Sequence, residues 1–259
     1  MTEHLDGRGP VVDFHTYLGR TAYGDHAQTA EQLIGSMEDC RIDAAVVAPL
    51  LDVPGPDGEA HERLLEATSA YPGRLIPFAR LDPRYGEAAL RELEARLDDG
   101  FKGLLFNPVT TCSLCYHRGV LPLMSIAEKA DVPVLIITGN HYVGLPEQVG
   151  FLASALPDLK IVVGHMGTAA HAVRAVAVAE QHDQVYLETS LQQSPYRLQL
   201  AISRLGVERV LFGSAAPYSH QRPERTKVEV ADLTSEQKSH LLGWNAARLL
   251  DLDVKGGTL

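Results

Sequence analysis

The stretch VVDFHTYLGR, residues 11–20, begins as an apolar run and ends with a histidine and a tyrosine two positions apart. Residues i and i+2 of a strand face the same side, so His15 and Tyr17 are expected to project together from the carboxyl end of a strand. Two histidines at this spacing would indicate a metal site. What a tyrosine means in the second position depends on the fold around it.

Seven further apolar runs rich in Val, Ile and Leu follow along the chain, at 44–49, 75–81, 103–106, 132–138, 160–164, 185–190 and 209–213. Most are apolar throughout, as expected of parallel strands covered on both faces. Stretches with helical spacing alternate with them, and the last of these closes the chain. No Gly/Ser/Pro linker divides the sequence. The pattern predicts an α/β fold, a single (β/α)8 TIM-type barrel that spans residues 1–259 as one domain.

The charge and composition exclude several classes of partner. The chain has 23 Lys+Arg against 33 Asp+Glu and no basic run, which argues against nucleic acid and against an anionic membrane. We expect a small-molecule substrate or ligand, and leave assembly into a homo-oligomer open. There is no secretory start and no run of about 18 apolar residues, so we expect a cytoplasmic protein without a membrane span. Three cysteines are too few for a disulfide framework.

In a barrel of this type the functional residues lie on the loops that follow the strands. The polar side chains at predicted strand ends are therefore the candidates. They are His15, Tyr17, Arg80, Asp82, Asn107, Thr138, Asn140, His141, His165, Glu188, Thr189, Ser190, Ser214, Tyr218 and His220.

Taken in order, the strand ends resemble the amidohydrolase superfamily, specifically its decarboxylase-related branch, often labelled amidohydrolase 2. DFHTYLG is similar to that branch's Asp-x-His-x-His-x-Gly start. The resemblance extends over almost the whole chain, in matching order and spacing. It is carried by FARLDP, GFKGLLFNP, VPVLIITG, LPDLKIVVGHMG, VYLETS, RVLFGSAAPY and WNAARLL.

The resemblance implies a metal site, and the departures from the family pattern fall on its ligands. Tyr17 stands in place of the second strand-1 histidine, Ile137 in place of the strand-5 histidine, and Ala215 in place of the strand-8 aspartate. Only His15 and His165 keep the expected ligand type. The family's metal-activated water would also lose its base with the strand-8 carboxylate.

The remaining ligands are too few for a catalytic metal. Such an ion commonly takes at least three protein ligands and acidifies a bound water to a pKa of roughly 7. Two histidines fall short, and a tyrosine ligand would have to overcome an unperturbed pKa of about 10. In the fourth block, Leu105 and Asn107 also stand where many relatives have a lysine and a histidine. We therefore predict that the barrel mouth binds no metal and that the protein needs no cofactor.

Four residues are predicted to be catalytic. His15 and His165 would form an acid/base pair, because histidine titrates near neutrality. Tyr17 would donate a hydrogen bond to a substrate carbonyl or carboxylate, and Glu188 would act as a base. The alternatives are inherited histidines held by hydrogen bonds, a tyrosine that fills the vacated metal volume, and a glutamate that points outward to a helix.

Six further residues are predicted to bind substrate: Arg80, Asn107, Thr138, His141, Ser214 and Tyr218. Arg80 would anchor an anionic group, and its alternative role is a salt bridge with Asp82 or another buried acid. His141 and His220 would replace lost polar groups, or else lie on the surface. The loop from Cys112 to His117 contains a C-x-x-C that would suit zinc, a redox dithiol or a reactive thiol, but a second ligand pair is absent.

Three functions remain open from the sequence. The first is a metal-independent enzyme of small-molecule metabolism, with lyase, isomerase, cyclase or lactone-opening chemistry on a carboxylated or cyclic substrate. The second is a catalytically inert barrel that binds a metabolite or a protein. The third is a hydrolase with a rebuilt metal site that uses His15, His165 and either His141 or the cysteines. A cavity at which His15, His165 and Tyr17 converge would favour the first, and a filled mouth the second.

Overall fold

The computed structural model describes residues 9–50, 55, 58–139 and 142–253. The strands in these ranges are β1 Val12–Arg20, β2 Ala27–Gln28, β3 Ala44–Leu50, β4 Leu75–Pro77, β5 Ala79–Arg80, β6 Leu104–Phe106, β7 Val134–Ile137, β8 Ile161–Gly164, β9 Val185–Glu188 and β10 Val210–Leu211. The helices are α1 Ala30–Cys40, α2 Glu59–Ser69, α3 Glu87–Asp98, α4 Pro108–Thr111, α5 Val120–Lys129, α6 Pro146–Ala155, α7 Thr168–Gln181, α8 Pro195–Leu205, α9 Gln221–Glu229, α10 Ser235–Ser239 and α11 Asn245–Leu249.

The strands form two hydrogen-bonded sets, in the orders β2-β1-β3-β4 and β10-β9-β8-β7-β6-β5. Every pair is parallel except β1 and β2. A single extended segment supplies both β4, which pairs with β3, and β5, which pairs with β6. Between these two short strands, Phe78 N donates to Val47 O at 2.8 Å and links the sets.

Backbone hydrogen bonds also join the first strand to the last. Phe14 N donates to Phe212 O at 2.9 Å, and Ala215 N donates to His15 O at 2.7 Å. Thr16 and Ala216 form a parallel bridge beyond them. The predicted α/β fold of (β/α)8 type is confirmed, and each predicted apolar run contains a strand. The single-domain boundary at 1–259 stays a prediction.

The sequence did not predict β2, a two-residue strand that pairs antiparallel with the end of β1. Helices α2, α8 and α9 were not specified either, and α9 (QRPERTKVE) has little apolar character to reveal it. No helix in the described ranges combines the length and the apolar character needed to cross a membrane.

Two apolar layers account for the continuous hydrophobic runs. One fills the barrel interior and includes Phe14 and Phe78, whose rings meet edge-on at 5.7 Å. The other lies between the strands and the surrounding helices. In β7, Leu135 belongs to the inner layer and Ile136 to the outer one. Each parallel strand therefore buries both faces, as the sequence pattern predicted.

A β-bulge lies where β1 reaches the mouth of the barrel. The register with β3 shifts between Asp13, which pairs with Ala45, and Thr16, which pairs with Val47. This shift inserts one extra residue into β1. Phe14 and Tyr17, three positions apart, consequently both belong to the inner layer, although strict alternation would place them on opposite faces.

Candidate functional site

A cavity of about 450 Å³ lies at the carboxyl ends of the strands. It is lined by Tyr17, Arg80, Asn107, Thr110, Ile137, His165, Leu191 and Tyr218. A larger cavity of about 530 Å³ lies near the ends of β1 and β3, beside α1 and α2, but it is mostly apolar, and the described residues that line it include no acid and no histidine. Acid/base chemistry therefore belongs to the smaller cavity.

A continuous hydrogen-bonded chain leads from a buried carboxylate to the wall of this cavity. His15 Nδ1 lies 3.0 Å from Glu188 Oε2, and His15 Nε2 lies 2.8 Å from the Tyr17 hydroxyl. Because Nδ1 faces a carboxylate, it carries the proton, and Nε2 accepts the proton of Tyr17. Glu188 and His15 are fully buried, whereas Tyr17 lines the cavity. The arrangement couples the Tyr17 hydroxyl to an imidazole that a carboxylate orients.

The electrostatics keep Glu188 ionised. Burial alone raises the pKa of this carboxyl, but the hydrogen bond from His15 and the positive charge that His15 carries when it is protonated outweigh it, and the pKa falls to about 2. Burial raises the pKa of Tyr17, and the positive charge of Arg80 opposes that rise. The phenol is therefore protonated at neutral pH and able to donate to His15.

Glu188 accepts hydrogen bonds on both carboxylate oxygens. Besides His15, Oε2 accepts from the Ser190 hydroxyl at 2.8 Å and from His165 N at 3.2 Å. Oε1 accepts from Ser190 N. Gly213 makes room for this group, since a Cβ there would lie 2.3 Å from Glu188 Oε1. The sequence left the direction of Glu188 open, and the structure points it into the barrel, where it orients His15 and does not line the cavity.

His165 contributes a second imidazole beside the first. The two rings stack with centroids 5.1 Å apart. His165 Nδ1 lies 2.7 Å from the Ser190 hydroxyl, which itself donates to Glu188, so Nδ1 is the protonated nitrogen and Nε2 keeps its lone pair. Burial lowers the pKa of His165 to about 4, and the charge that His15 carries when it is protonated acts in the same direction. His165 is therefore a neutral base in the cavity wall.

The loops after β8, β9 and β10 contain non-glycine residues in the left-handed region. His165 has φ 61°, Met166 47°, Leu191 56° and Ala215 57°. Such conformations cost about 1–3 kcal/mol each where strained, and they persist only where the surroundings enforce them. Two of them, His165 and Leu191, line the cavity. The rim is therefore held in a conformation that local preference alone would not produce.

Arg80 carries the positive charge among the described residues that line the cavity. Its Nη1 donates to Pro49 O at 3.0 Å, its Nη2 lies 3.5 Å from Thr110 Oγ1, and its guanidinium lies 5.8 Å from the centre of the Tyr17 ring. Asp82, the alternative partner considered from the sequence, binds Arg84 instead, with Oδ2 2.6 Å from Nη2.

Two other predicted substrate-binding residues reach the cavity. Asn107 lines it, and its Oδ1 also caps α4 by accepting from Val109 N at 3.0 Å. Tyr218 lines it as well, with its ring perpendicular to that of Tyr17 at 5.5 Å. Their contact with substrate stays a prediction.

The structure places the remaining predicted residues elsewhere. Thr138 lies beneath the rim, where it donates to Gly164 O at 2.7 Å and accepts from Gly167 N at 3.1 Å. Ser214 is fully buried and donates to Asp13. His220 is exposed and precedes α9. His141 lies outside the described residues.

Asp13 and Ser190 are residues whose roles sequence reasoning missed. Asp13 is fully buried and accepts from Ser214 N at 2.8 Å, Ser214 Oγ at 2.6 Å, Gln221 Nε2 at 2.9 Å and His15 N at 3.2 Å. Burial raises its pKa to about 6, although these donors lower it. Asp13 thus ties β1 to the loop after β10 and to α9. The i, i+2 spacing of Glu188 and Ser190 within the apolar run 185–190 was the available signal for Ser190.

The two cysteines of the C-x-x-C motif lie in different environments. Cys112 is exposed, whereas Cys115 is buried and burial raises the pKa of its thiol to about 12. Among the described residues, the group of side chains that could share a metal ion is His15, His165 and Glu188, with no cysteine. The cysteine-based zinc alternative gains no support.

The sequence left two possible metal ligands, His15 and His165, and the structure adds Glu188 as a third. Each of His15, His165 and Glu188 offers one atom, and these atoms lie within 4.8 Å of one another. However, the Ser190 hydroxyl lies 2.8 Å from Glu188 Oε2, 2.7 Å from His165 Nδ1 and 3.3 Å from His15 Nδ1. An ion at about 2.0–2.2 Å from the three would have to break these hydrogen bonds. The three donors thus converge closely enough to hold a metal ion, and an ion there would displace the hydrogen bonds that the Ser190 hydroxyl now makes.

Several solved structures with the same fold are described as decarboxylases. The 2,6-dihydroxybenzoate decarboxylase from Rhizobium has a TM-score of 0.76 and 18% identity, covering 95% of this chain and 99% of that one. The 5-carboxyvanillate decarboxylase LigW from Sphingomonas paucimobilis gives 0.73 and 18%, covering 94% and 99%. A dihydroxybenzoic acid decarboxylase from a Polaromonas species, solved with bound manganese and the inhibitor 2-nitroresorcinol, gives 0.74 and 18%, covering 96% and 99%. At such identities the likeness establishes the fold.

A search of curated protein sequences finds no match to this chain. A family model described as amidohydrolase, in contrast, matches residues 15–252. The match runs from His15, within β1, to the residues just after α11 and so includes every strand end described above. The chain therefore belongs to the amidohydrolase family.

Proposed function

We propose that this protein is a metal-independent enzyme that moves protons on a small carboxylated molecule, in a reaction of the lyase or isomerase type. The observation that carries the proposal is the chain from Glu188 through His15 to Tyr17, which ends at a cavity that His165 also lines. The mouth holds a cavity instead of being filled, which supports a catalytic over an inert barrel.

The chain provides a route for a proton in either direction. When a substrate group gives its proton to the Tyr17 oxygen, the proton of Tyr17 passes to His15 Nε2. The resulting imidazolium donates through Nδ1 to the ionised Glu188, which stabilises it. The reverse transfer returns a proton to the substrate, at the same atom or at another one.

Two other residues of the cavity wall supply the further functions that such a reaction needs. His165, with its free Nε2, is a second proton acceptor that is neutral at physiological pH. Arg80 places a positive charge beside the Tyr17 ring and is the anchor for a substrate carboxylate. The volume of about 450 Å³ suits a small organic molecule.

Decarboxylation is the first reaction to test, because the solved relatives are described as decarboxylases of aromatic acids. In that reaction a proton adds to the carbon that bears the carboxylate. The bond between this carbon and the carboxylate then breaks, its electron pair returns to the ring, and CO2 leaves. The residues present can deliver the proton and hold the carboxylate without an acidified water.

The test offers the protein 2,6-dihydroxybenzoate and 5-carboxyvanillate as substrates in D2O with an excess of chelator. Proton NMR follows the loss of substrate and the deuterium content of the product. The wild-type protein should release CO2 and place deuterium on the ring carbon. Tyr17→Phe should be at least roughly 100-fold slower. Tyr196→Phe, which alters an exposed tyrosine, is the matched control. Turnover that appears only after manganese is added, or full activity in Tyr17→Phe, would refute the proposal.

A further inference from the structure

The parallel ladder between β3 and the β4–β5 segment stops one step before the cavity. Phe78 N donates to Val47 O at 2.8 Å. In a regular ladder two more hydrogen bonds would follow. Pro49 N would donate the first, but it has no proton, and Arg80 N would donate the second to Pro49 O. Neither bond forms there. Pro49 thus ends the ladder and leaves two backbone groups, Arg80 N and Pro49 O, in need of other partners.

His61, from α2, takes the first of these groups. Arg80 N donates to His61 Nε2 at 3.0 Å. Pro49 O is then available to the side chain of Arg80 and accepts from Nη1 at 3.0 Å. The guanidinium occupies the position that its own backbone N–H would have taken in a regular ladder. Arg80 is consequently fixed both at its backbone and at its side chain.

The tautomer of His61 is set by a second carboxylate–imidazole pair. His61 Nδ1 lies 2.8 Å from Glu92 Oε1, so Nδ1 is protonated and Nε2 is the acceptor that Arg80 N requires. His61 is 3% exposed, and its ring meets Phe101 edge-on at 5.8 Å. Burial lowers the pKa of His61, although Glu92 opposes this, and Arg96, 3.4 Å from Glu92, lowers it further. Burial and the charge of Arg96 therefore favour the neutral form of His61.

We infer that His61 is a positioning residue for Arg80, and through it for the carboxylate of the substrate. His61 lines neither cavity and touches Arg80 only from behind the strand. Without an acceptor at Nε2, Arg80 N would compete with Nη1 for Pro49 O, and the guanidinium would lose its fixed place beside Tyr17. The inference rests on the proposed function, in which Arg80 binds that carboxylate.

The test compares His61→Phe, which keeps a ring but has no acceptor, with His61→Gln, whose amide can both accept from Arg80 N and donate to Glu92. The first readout is hydrogen exchange of the Arg80 amide, followed by NMR. The second is the affinity for 2,6-dihydroxybenzoate, measured by calorimetry, together with KM and kcat where turnover is seen. His117→Phe, which changes an exposed imidazole, is the control.

We expect the Arg80 amide to exchange at least tenfold faster in His61→Phe. The affinity for 2,6-dihydroxybenzoate should fall at least tenfold, and where turnover is seen KM should rise by a similar factor while kcat changes less. His61→Gln should restore both to within about threefold. Unchanged exchange, or unchanged affinity despite faster exchange, would overturn the inference. If His61→Phe fails to fold, nitrogen-15 NMR of the wild-type ring decides, because a protonated Nε2 contradicts the bond from Arg80.

The same experiment separates this inference from the proposed function. Arg80→Gln removes the anchor itself and should abolish binding of the probe. If the wild-type protein does not bind the probe, the assignment of Arg80 as the carboxylate anchor fails, and the role of His61 in substrate binding fails with it. If the wild-type protein binds the probe and Arg80→Gln does not, while His61→Phe binds it normally, the anchor stands and only the role of His61 fails.

Discussion

Replacing Glu188 by glutamine should destabilise the protein, and the hydrogen bonds that the carboxylate accepts determine by how much. The carboxylate accepts from His15, His165 N and Ser190, at both oxygens. A glutamine amide has one acceptor oxygen, and its NH2 group would face at least one of these buried donors. Leaving buried donors unpaired costs about 1–3 kcal/mol each, so the loss of two or three of these hydrogen bonds costs about 3–5 kcal/mol in all.

The pKa shift of Glu188 gives an independent value for its contribution to the free energy of unfolding. The pKa of Glu188 falls from 4.5 to about 2 on folding, and at 1.36 kcal/mol per pH unit this corresponds to about 3 kcal/mol. A lowered pKa in the folded state means that the stabilisation is complete above pH 4.5. It is lost as the pH falls through the folded value of about 2.

We therefore expect Glu188→Gln to lower the free energy of unfolding by about 3–5 kcal/mol at pH 7, and Tm by roughly 6–20 °C. The assay is urea unfolding followed by circular dichroism at pH 7 and at intervals down to pH 3. The gap between variant and wild type should narrow as the pH falls below 4.5. The control is Glu59→Gln, which removes an exposed pair with Arg63 and should cost under about 0.5 kcal/mol. A Glu188→Gln variant within about 1 kcal/mol of wild type would refute the reasoning.

Four further predictions concern the same site. Tyr17→Phe leaves His15 Nε2 without its donor and should lower the rate by about 10²–10⁴ while changing the free energy of unfolding by only about 1–3 kcal/mol in urea titrations. Burial holds the pKa of His165 at about 4, so kcat/KM should fall as the pH is lowered, with a midpoint near pH 4, because this base becomes protonated. A midpoint near 6.5, the ordinary pKa of histidine, would contradict its role. Elemental analysis after mild purification should find no stoichiometric zinc, manganese or iron, and chelator should leave activity intact; one equivalent of metal required for activity would show that Ser190 gives way to an ion. Gly213→Ala would push a Cβ against Glu188 Oε1 and should destabilise the protein by about 1–3 kcal/mol, whereas an unaffected Tm would show that the carboxylate has room to move.

The sequence anticipated the site unevenly, for physical reasons. His15, Tyr17 and His165 were identified because strand ends of a barrel converge at one mouth, and all three meet there. Glu188 was named, but its direction was not, because alternation in a four-residue strand cannot be assigned without its register. The partner of Glu188 lies 173 residues away along the chain. Asp82 shows the same limit, since it was one alternative partner for Arg80 and binds Arg84 instead.

His61 was not recognised at all. It lies within a helix, not at a strand end, and only the ladder broken at Pro49 reveals why Arg80 needs it. Likewise, the β-bulge between Asp13 and Thr16 has no marker in the sequence, although it decides which β1 side chains face the interior.

The sequence by itself determined the alternation of buried strands with helices and the end of the barrel at which the polar groups gather. These follow from local pattern and composition, which a linear chain carries directly. Tertiary structure alone decided that Glu188 points inward, that the Ser190 hydroxyl lies among the three donors, and that Tyr17 is bonded to His15. Such bonds depend on register and on the angle between distant strands, and a hydrogen bond needs its atoms within about 3 Å. No pattern along the chain specifies positions to that precision.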